Sequence, residues 1–144
     1  MAKACNVALI GQGFMGRTHS NAFLKVSKFF TKLPLNPVMH TSFGMKQENP
    51  KVFAKQWGWQ NYSDDWKAVV HSDEIDYVDI VTPNFMHAPP ARAAIEAGKA
   101  VSCEKPIAGT LDDARAMVEA AKAKGVKTFV WFNYRRVPAV ALAH

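Results

Sequence analysis

The sequence predicts an α/β fold in which helices cover both faces of a doubly wound parallel sheet. Strand and helix patterns alternate along the whole chain of 144 residues. This alternation is typical of parallel sheets, whose strands are joined by crossover helices and buried on both faces. A glycine-rich turn directly follows the first predicted strand. The length suits one domain, so we expect a single domain over residues 1–144.

The first half of the chain contains three predicted strands and three predicted helices. The apolar run at 6–10 stops at Gly11 and indicates a buried strand. A helix is expected from Phe14 to about residue 30, where the prolines within 33–37 stop it. The remaining elements are a strand at 38–43, a helix at 50–57, a short strand at 59–62, and a helical turn at 64–70 with Ser63 as its N-cap.

The second half of the chain shows clearer boundaries. The run at 77–81 is rich in β-branched residues and indicates a strand. Two consecutive prolines are tolerated only in the first turn of a helix, here predicted over 89–97. Thr110 is predicted to cap a helix that ends at Gly125. The remaining elements are strands at 100–103 and 127–132, and a helical segment that opens at Pro138.

The composition argues against several classes of function. The net charge is +6, but the basic residues are scattered, which indicates a solvated surface rather than a nucleic-acid interface. The two cysteines and five histidines lack the spacing of a disulfide framework or a metal site. No apolar run approaches the roughly 18 residues that cross a membrane, and no targeting signal is visible. We therefore expect a cytoplasmic protein with no nucleic-acid, membrane or metal partner.

The turn at 11–16 has the pattern G-x-G-x-x-G between a strand and a helix, the context in which this motif binds dinucleotides. Gly11 permits a tight turn, Gly13 lets the backbone approach a diphosphate, and Gly16 lets the helix pack closely on the strand. The helix N-terminus offers free N–H groups to the phosphates. The sequence therefore predicts a Rossmann fold with a dinucleotide site at Gly11, Gln12, Gly13, Phe14, Met15 and Gly16.

The end of the second strand lacks the acidic residue that usually binds the adenosine ribose of NAD. Gly44 occupies the expected tip, and the next acidic residue is Glu48. Lys46 is placed to face the 2′-phosphate of NADP, which favours NADP slightly over NAD. The alternative is that Lys46 is an ordinary solvated lysine. The missing acid also leaves FAD or S-adenosylmethionine open as the ligand.

Three polar clusters follow the later strands. In a sheet ordered 3-2-1-4-5-6 the fourth strand lies beside the first, at the switch point where a dinucleotide crosses. We therefore expect the clusters to line a cofactor cleft, with Gly11 and Thr82 on neighbouring strand ends. The clusters are Thr82-Pro83-Asn84 with His87, then Glu104-Lys105-Pro106, and finally Asn133-Tyr134-Arg135.

Together these motifs resemble the N-terminal half of the Gfo/Idh/MocA oxidoreductases, which include inositol dehydrogenases and glucose–fructose oxidoreductase. The resemblance covers nearly the whole chain. It implies redox chemistry with NAD or NADP on sugars, polyols or related hydroxy compounds, and a cis bond between Lys105 and Pro106. The motifs that carry it are G-Q-G-F-M-G at 11–16, V-D-I-V-T-P-N at 78–84 with His87, E-A-G-K at 96–99, C-E-K-P at 103–106 and N-Y-R at 133–135.

The resemblance also implies roles for single residues. Lys105 would be the catalytic residue, close to the substrate hydroxyl and the nicotinamide, where its ammonium stabilises charge that develops on oxygen. Asn133, Tyr134 and Arg135 would border the nicotinamide or the substrate. The alternative for Lys105 is structural, as an ion-pair partner of Glu104 or as a surface lysine.

Two histidines lie close to these motifs in the sequence. His87 follows the fourth strand and is assigned to the cofactor cleft, with capping or packing at the start of the next helix as the alternative. His19 lies on the first predicted helix and is expected to be structural.

Members of that family continue into a second domain that holds the substrate pocket and an acid/base histidine. Nothing in residues 1–144 corresponds to it, so we expect a dinucleotide-binding domain truncated before its substrate domain. Such a chain is expected to bind a dinucleotide, to catalyse essentially nothing, and to form a homo-oligomer through uncovered apolar segments. The alternative function is a non-catalytic nucleotide-binding sensor or regulatory module, against which the presence of Lys105 argues.

Overall fold

The sheet of the computed structural model, which describes residues 2–143, has six strands. They are β1 (Lys3–Ile10), β2 (Leu35–Phe43), β3 (Asn61–Ser63), β4 (Tyr77–Ile80), β5 (Ala100–Glu104) and β6 (Thr128–Trp131). All neighbouring strands pair in parallel, in the order β3-β2-β1-β4-β5-β6. The predicted order is therefore confirmed, and Ile10 at the end of β1 pairs with Ile80 of β4.

Six helices accompany these strands within residues 2–143. They are α1 (Phe14–Phe29), α2 (Pro50–Trp57), α3 (Trp66–His71), α4 (Ala88–Glu96), α5 (Leu111–Lys124) and α6 (Pro138–Leu142). Short 3₁₀ turns lie at Lys46–Glu48, Asn84–Met86 and Asn133–Arg136. Over the same described residues, every helix is too short or too polar to cross a membrane.

Alternating side chains of the strands build one apolar layer on each face of the sheet. Ala8 and Ile10 of β1 belong to the layer that α3, α4 and α5 cover. Val7 and Leu9 belong to the opposite layer, which α1 and α2 cover. Because both faces are covered, the central strands are nearly continuous apolar runs, which is the pattern that predicted them.

Strand β2 begins at Leu35 rather than at residue 38, so Pro37 lies inside the strand instead of ending a loop. Proline lacks the N–H that a neighbouring strand would require. It is tolerated here because β3 pairs only with the segment Thr41–Phe43 and leaves the first part of β2 without a neighbour on that side.

The caps of two helices were predicted, one incorrectly. Asp65, not Ser63, caps α3: its carboxylate accepts hydrogen bonds from the N–H groups of Lys67 and Ala68. Ser63 instead ends β3, and its hydroxyl accepts a bond from the Asp65 N–H at 3.0 Å. Asp65 takes the position because its carboxylate reaches two N–H groups of the first turn. The prediction that Thr110 caps α5 is confirmed by its bond from the Asp113 N–H at 3.1 Å.

Candidate functional site

The turn between β1 and α1 places its three glycines in three different environments. Gly11 has a φ of +119°, and its N–H donates to the Phe43 carbonyl at 3.0 Å, which ties the turn to the end of β2. Gly16 lies against the Gly11 carbonyl oxygen, where a side chain would collide with the main chain. A Cβ on Gly13 would meet nothing within 4 Å. The fold therefore requires Gly11 and Gly16, whereas Gly13 faces space that a ligand can enter.

The N-terminus of α1 presents N–H groups without partners in the helix. Gly13 is the N-cap, no side chain caps the turn, and the first turn contains no acidic residue. The first bond of the helix runs from the Arg17 N–H to the Gly13 carbonyl at 3.2 Å. The N–H groups of Phe14, Met15 and Gly16 thus precede the hydrogen-bond ladder. Together with the positive end of the helix dipole they form a surface suited to an anion.

Gln12 and Thr82 place unpartnered polar atoms close to Gly11. The Gln12 side chain is buried and lies so close to Gly44 that a Cβ on Gly44 would collide with it. Within residues 2–143, neither the Gln12 amide oxygen and nitrogen nor the Thr82 hydroxyl has a hydrogen-bond partner. Buried polar atoms normally have one. These atoms are therefore available to a polar ligand that crosses the turn.

Lys46 lies away from the glycine turn, in a separate depression of about 360 Å³ beside the ends of β2 and β3. Lys51 of α2 adds a second positive charge to its lining, and Asp64 adds a negative one. The structure thus brings Gly44 against Gln12 of the turn, whereas Lys46 lines a separate depression.

A groove of about 850 Å³ lies between α1 and the carboxyl ends of β5 and β6. Lys105 and Asn133 both line it, so the structure brings together two residues far apart in the sequence. The peptide bond between Lys105 and Pro106 is cis, as predicted. Arg135 is exposed on the 3₁₀ turn that follows β6. The other lining residues are Met15, Thr18, His19, Ala22, Phe23, Lys25, Val26, Phe29, Phe30, Glu104, Trp131, Phe132 and Tyr134.

His87 joins the two loops that follow β4 and β5. Its side chain is almost fully buried, with 1% of its surface exposed. One ring nitrogen lies 2.8 Å from the Thr82 carbonyl oxygen, and the other lies 2.8 Å from that of Pro106. The structural alternative describes this geometry better than a ligand contact does, because both polar atoms of the ring are already engaged by the protein. Pro83 and Asn84 are exposed at the entrance of the same loop.

Below the groove lies a buried polar cluster that the sequence analysis did not predict as a unit. Asp79 in β4 has no exposed surface and accepts hydrogen bonds from Ser102 and, at 2.9 Å, from the Trp131 indole N–H. Its other oxygen lies 2.7 Å from Nδ1 of His19. His19 was expected to be structural, and both of its ring nitrogens face carboxylates of this cluster. The available signal was Asp79 itself, since a carboxylate inside an apolar strand must be paired when buried.

A parallel sheet of this order, with a glycine turn opening α1 and polar strand ends at the switch point, defines a dinucleotide-binding Rossmann domain. Residues 5–132 match the model of an oxidoreductase family with an NAD-binding Rossmann fold. The chain therefore belongs to the Gfo/Idh/MocA oxidoreductases, and the resemblance stated from its motifs is confirmed.

Individual relatives agree with this assignment. The chain is 45% identical over 138 residues to levoglucosan dehydrogenase from Pseudarthrobacter phenanthrenivorans, covering 96% of this chain and 35% of that protein. It is 32% identical over 133 residues to D-apiose dehydrogenase from Paraburkholderia graminis, covering 92% and 33%. A solved structure of levoglucosan dehydrogenase in complex with NADH and levoglucosan matches with a TM-score of 0.93 at 44% identity, covering 98% of this chain and 38% of that chain. The chain thus spans about a third of the length of these relatives.

Proposed function

We propose that this chain is the dinucleotide-binding part of an enzyme that transfers hydride between NAD(P) and a sugar, polyol or related hydroxy compound. The observation that carries the proposal is the position of Lys105, which lines a groove that runs along α1 beside the carboxyl ends of β5 and β6. The relatives support the substrate class, because one of them was solved with NADH and levoglucosan bound.

The residues present fit a dinucleotide. The open space at Gly13 and the free N–H groups of α1 would hold the diphosphate. The unpartnered amide of Gln12 would hydrogen-bond to the adenosine ribose. It lies over Gly44, at the position where other dinucleotide sites have an acidic residue. The Thr82 hydroxyl would hydrogen-bond to the part of the ligand that crosses between β1 and β4.

The nicotinamide end of the ligand belongs to the groove in this proposal. Lys105 and Asn133 would border it, with Met15 on the α1 side. The proposed cofactor site also includes residues that lie at its rim or support the residues that line it. These are Pro83, Asn84, Glu104 and Arg135. For His87 the proposal is indirect, because its ring holds the loops that carry Thr82 and Lys105.

Lys105 would act on the oxygen of the reacting carbon. When bound, the nicotinamide accepts or donates the hydride. The Lys105 ammonium would stabilise the negative charge that develops on the alcohol oxygen as the hydride leaves. A protonated lysine is a poor base near neutral pH, and the imidazole of His19 is already held between two carboxylates. The proposal therefore assigns the base that takes the hydroxyl proton to residues outside this groove.

The proposal also includes the binding partners, the cellular location and the oligomeric state of the protein. Scattered surface charge supports a protein without a nucleic-acid or membrane partner. We place it in the cytoplasm as part of a homo-oligomer. Its ligands would be the dinucleotide and, in the complete enzyme, the small hydroxylated substrate.

A binding and turnover experiment on the 144-residue chain tests this function. Titration of NADH and NADPH, followed by cofactor fluorescence, is expected to show saturable binding. A panel of sugars and polyols with oxidised cofactor is expected to yield no steady turnover, since loss of substrate positioning alone removes several kcal/mol of catalysis. Absence of binding at about millimolar cofactor, roughly 4 kcal/mol of affinity, would contradict the site. Steady turnover would contradict the assignment of the base to residues outside this groove.

A further inference from the structure

A buried group of three charged side chains supports the end of β5, where Lys105 begins. It consists of His19 on α1, Asp79 on β4 and Glu104 on β5, and we call it the acid–histidine cluster. Nδ1 of His19 lies 2.7 Å from Oδ2 of Asp79, and Nε2 lies 3.2 Å from Oε1 of Glu104. All three residues are buried, with at most 9% of their surface exposed. The proposed cofactor and substrate contacts give no role to His19 or Asp79 and leave Glu104 only at the edge of the cofactor site.

The geometry of the cluster favours the protonated form of His19. A neutral imidazole has a proton on one ring nitrogen and only a lone pair on the other. That second nitrogen would then face a carboxylate oxygen, and two acceptors would repel each other. The imidazolium donates to both Asp79 and Glu104 and removes the conflict. Burial by itself lowers the pKa of His19, but the hydrogen bonds and charges of Asp79 and Glu104 outweigh it and leave the pKa raised.

Glu104 connects the cluster to the proposed catalytic lysine. Its Oε1 faces His19, while its Oε2 accepts a hydrogen bond from the main-chain N–H of Lys105 at 3.0 Å. With both oxygens engaged, the carboxylate cannot rotate without losing a partner. The His19 ring and Lys105 line the same groove, so the connection is short.

We propose that His19 is a positioning residue for Lys105: as an imidazolium it holds the Glu104 carboxylate against the Lys105 main chain, and loss of its proton releases that hold. This positioning role of His19 depends on the proposed function in one respect, which is the catalytic role assigned to Lys105. Below the point at which His19 loses its proton, the carboxylate has two donors. Above it, one donor is lost, and Glu104 and the Lys105 backbone can reorient.

The other groups that face the cluster do not share this titration. Asp79 also accepts from Trp131, whose indole ring meets the His19 ring edge-on at 5.1 Å and does not titrate. The Tyr77 hydroxyl pairs with Ser102, which donates to Asp79. Burial, followed by the charge of Asp79, raises the pKa of Tyr77 far enough to keep the phenol protonated near neutral pH.

Three further titratable side chains lie near the cluster. Cys103 precedes Glu104 in β5 and belongs to the opposite layer of the sheet. Burial, followed by the charges of Asp79 and Glu104, raises the pKa of the Cys103 thiol to about 12. Lys25 and Lys105 contribute positive charge on the groove side. Of the groups around the cluster, His19 is the one whose pKa is raised from an ordinary value close to neutrality.

The experiment is a pH titration of the isotope-labelled 144-residue chain by NMR. The Lys105 amide shift is expected to change with the same inflection as the His19 ring, at a pH above the ordinary histidine value of 6.5. In His19→Gln the Lys105 inflection disappears. In Glu104→Gln it also disappears, and the His19 inflection moves to lower pH. His71→Gln, which changes an exposed histidine at the end of α3, is the matched control and leaves both inflections in place.

Two results would overturn the proposal. One is a Lys105 amide that stays constant while His19 titrates; the other is a His19 inflection below 6.5. Both readings come from the wild-type chain, so they stand even where a variant fails to fold. No cofactor enters the measurement, and failure of dinucleotide binding therefore leaves this test intact.

Discussion

At the scale of single residues, the site depends on where polar atoms lack partners inside the protein. Gln12 is 7% exposed, yet both polar atoms of its amide are unpaired within residues 2–143. Gly44 makes this arrangement possible, because a side chain there would displace Gln12. A neutral amide over the end of β2 does not repel a phosphate as a carboxylate would. We therefore interpret the adenosine end of the cleft as compatible with both NAD and NADP.

Lys46 is predicted to contribute to the affinity for NADP through its 2′-phosphate. We expect NADPH to bind the chain at least as tightly as NADH. Lys46→Ala should weaken NADPH binding about tenfold, roughly 1.4 kcal/mol, and leave NADH binding unchanged, because only NADPH carries the extra charge. Fluorescence titration of both reduced cofactors at one salt concentration measures this.

Lys55→Ala is the matched control for that titration. Lys55 is an exposed lysine of α2 and lies outside the depression that contains Lys46. A tenfold preference of the unmodified chain for NADH, or an equal loss in both lysine variants, would contradict the role of Lys46.

His19 is predicted to make the stability of the chain depend on pH. Its pKa is raised on folding, so its contribution is complete below the ordinary value of 6.5 and is lost as pH rises through the folded value. The free energy of unfolding lost in His19→Gln should therefore be largest on the acidic side of neutrality and decrease with rising pH. Urea unfolding at a series of pH values measures it. If the loss of unfolding free energy in His19→Gln increased with rising pH, the prediction would be wrong.

At the scale of elements, the glycine turn combines two demands that different glycines satisfy. Gly16 allows α1 to approach the turn, because only hydrogen fits beside the Gly11 carbonyl oxygen. Gly13 has ordinary extended dihedral angles, with φ −66° and ψ −159°, and its Cβ position is open. Packing of the helix therefore requires Gly16, whereas the space at Gly13 is available for ligand binding.

Alanine substitutions are predicted to separate these two demands. Gly16→Ala should destabilise the fold by about 1–3 kcal/mol, because main chain cannot move aside as a flexible side chain can. Gly13→Ala should change stability by no more than about 0.5 kcal/mol but weaken dinucleotide binding about tenfold. Denaturant unfolding and cofactor titration on both variants provide the two measurements. Normal binding by a stable Gly13→Ala chain would contradict the diphosphate site.

At the scale of the whole molecule, the groove next to α1 is lined by aromatic side chains that remain accessible. Phe29 and Phe30 at the end of α1 are 77% and 62% exposed, and Phe132 after β6 is 53% exposed. Strand β6 pairs only with β5 among the described strands, which leaves one edge of the sheet open. Apolar patches and open edges both favour association.

The 144-residue chain is therefore predicted to form dimers or larger species. Light scattering at increasing protein concentration measures the mass. Phe29→Ser combined with Phe132→Ser should shift the population toward monomer, since it removes two exposed rings without touching the buried layers. Val52→Ser, at an exposed position of α2 away from the groove, is the control. A monomeric wild-type chain at high concentration would contradict the prediction.

The architecture was predictable from the sequence, because each strand and helix pattern spans only a few neighbouring residues. The runs at 6–10 and 77–81 indicated strands, the turn at 11–16 indicated the dinucleotide site, and their combination predicted the strand order. The predicted ends of strands and helices were less accurate where residues of other elements determine them. Pro37 lies inside β2 only because β3 is short, and Asp65 rather than Ser63 caps α3.

Which polar residues contact each other depends on the packing of the whole domain and could not be predicted from local patterns. The contacts of His19 with Asp79 and Glu104 join positions that are 60 and 85 residues apart in the chain. The packing of Gln12 over Gly44 and the two carbonyl contacts of His87 are equally non-local. Sequence periodicity reports which face of an element is apolar, whereas such contacts depend on how three or four strand ends are placed side by side. Those placements are set by the packed sheet as a whole, because a side chain reaches its partner only after the crossover helices have brought distant strands together.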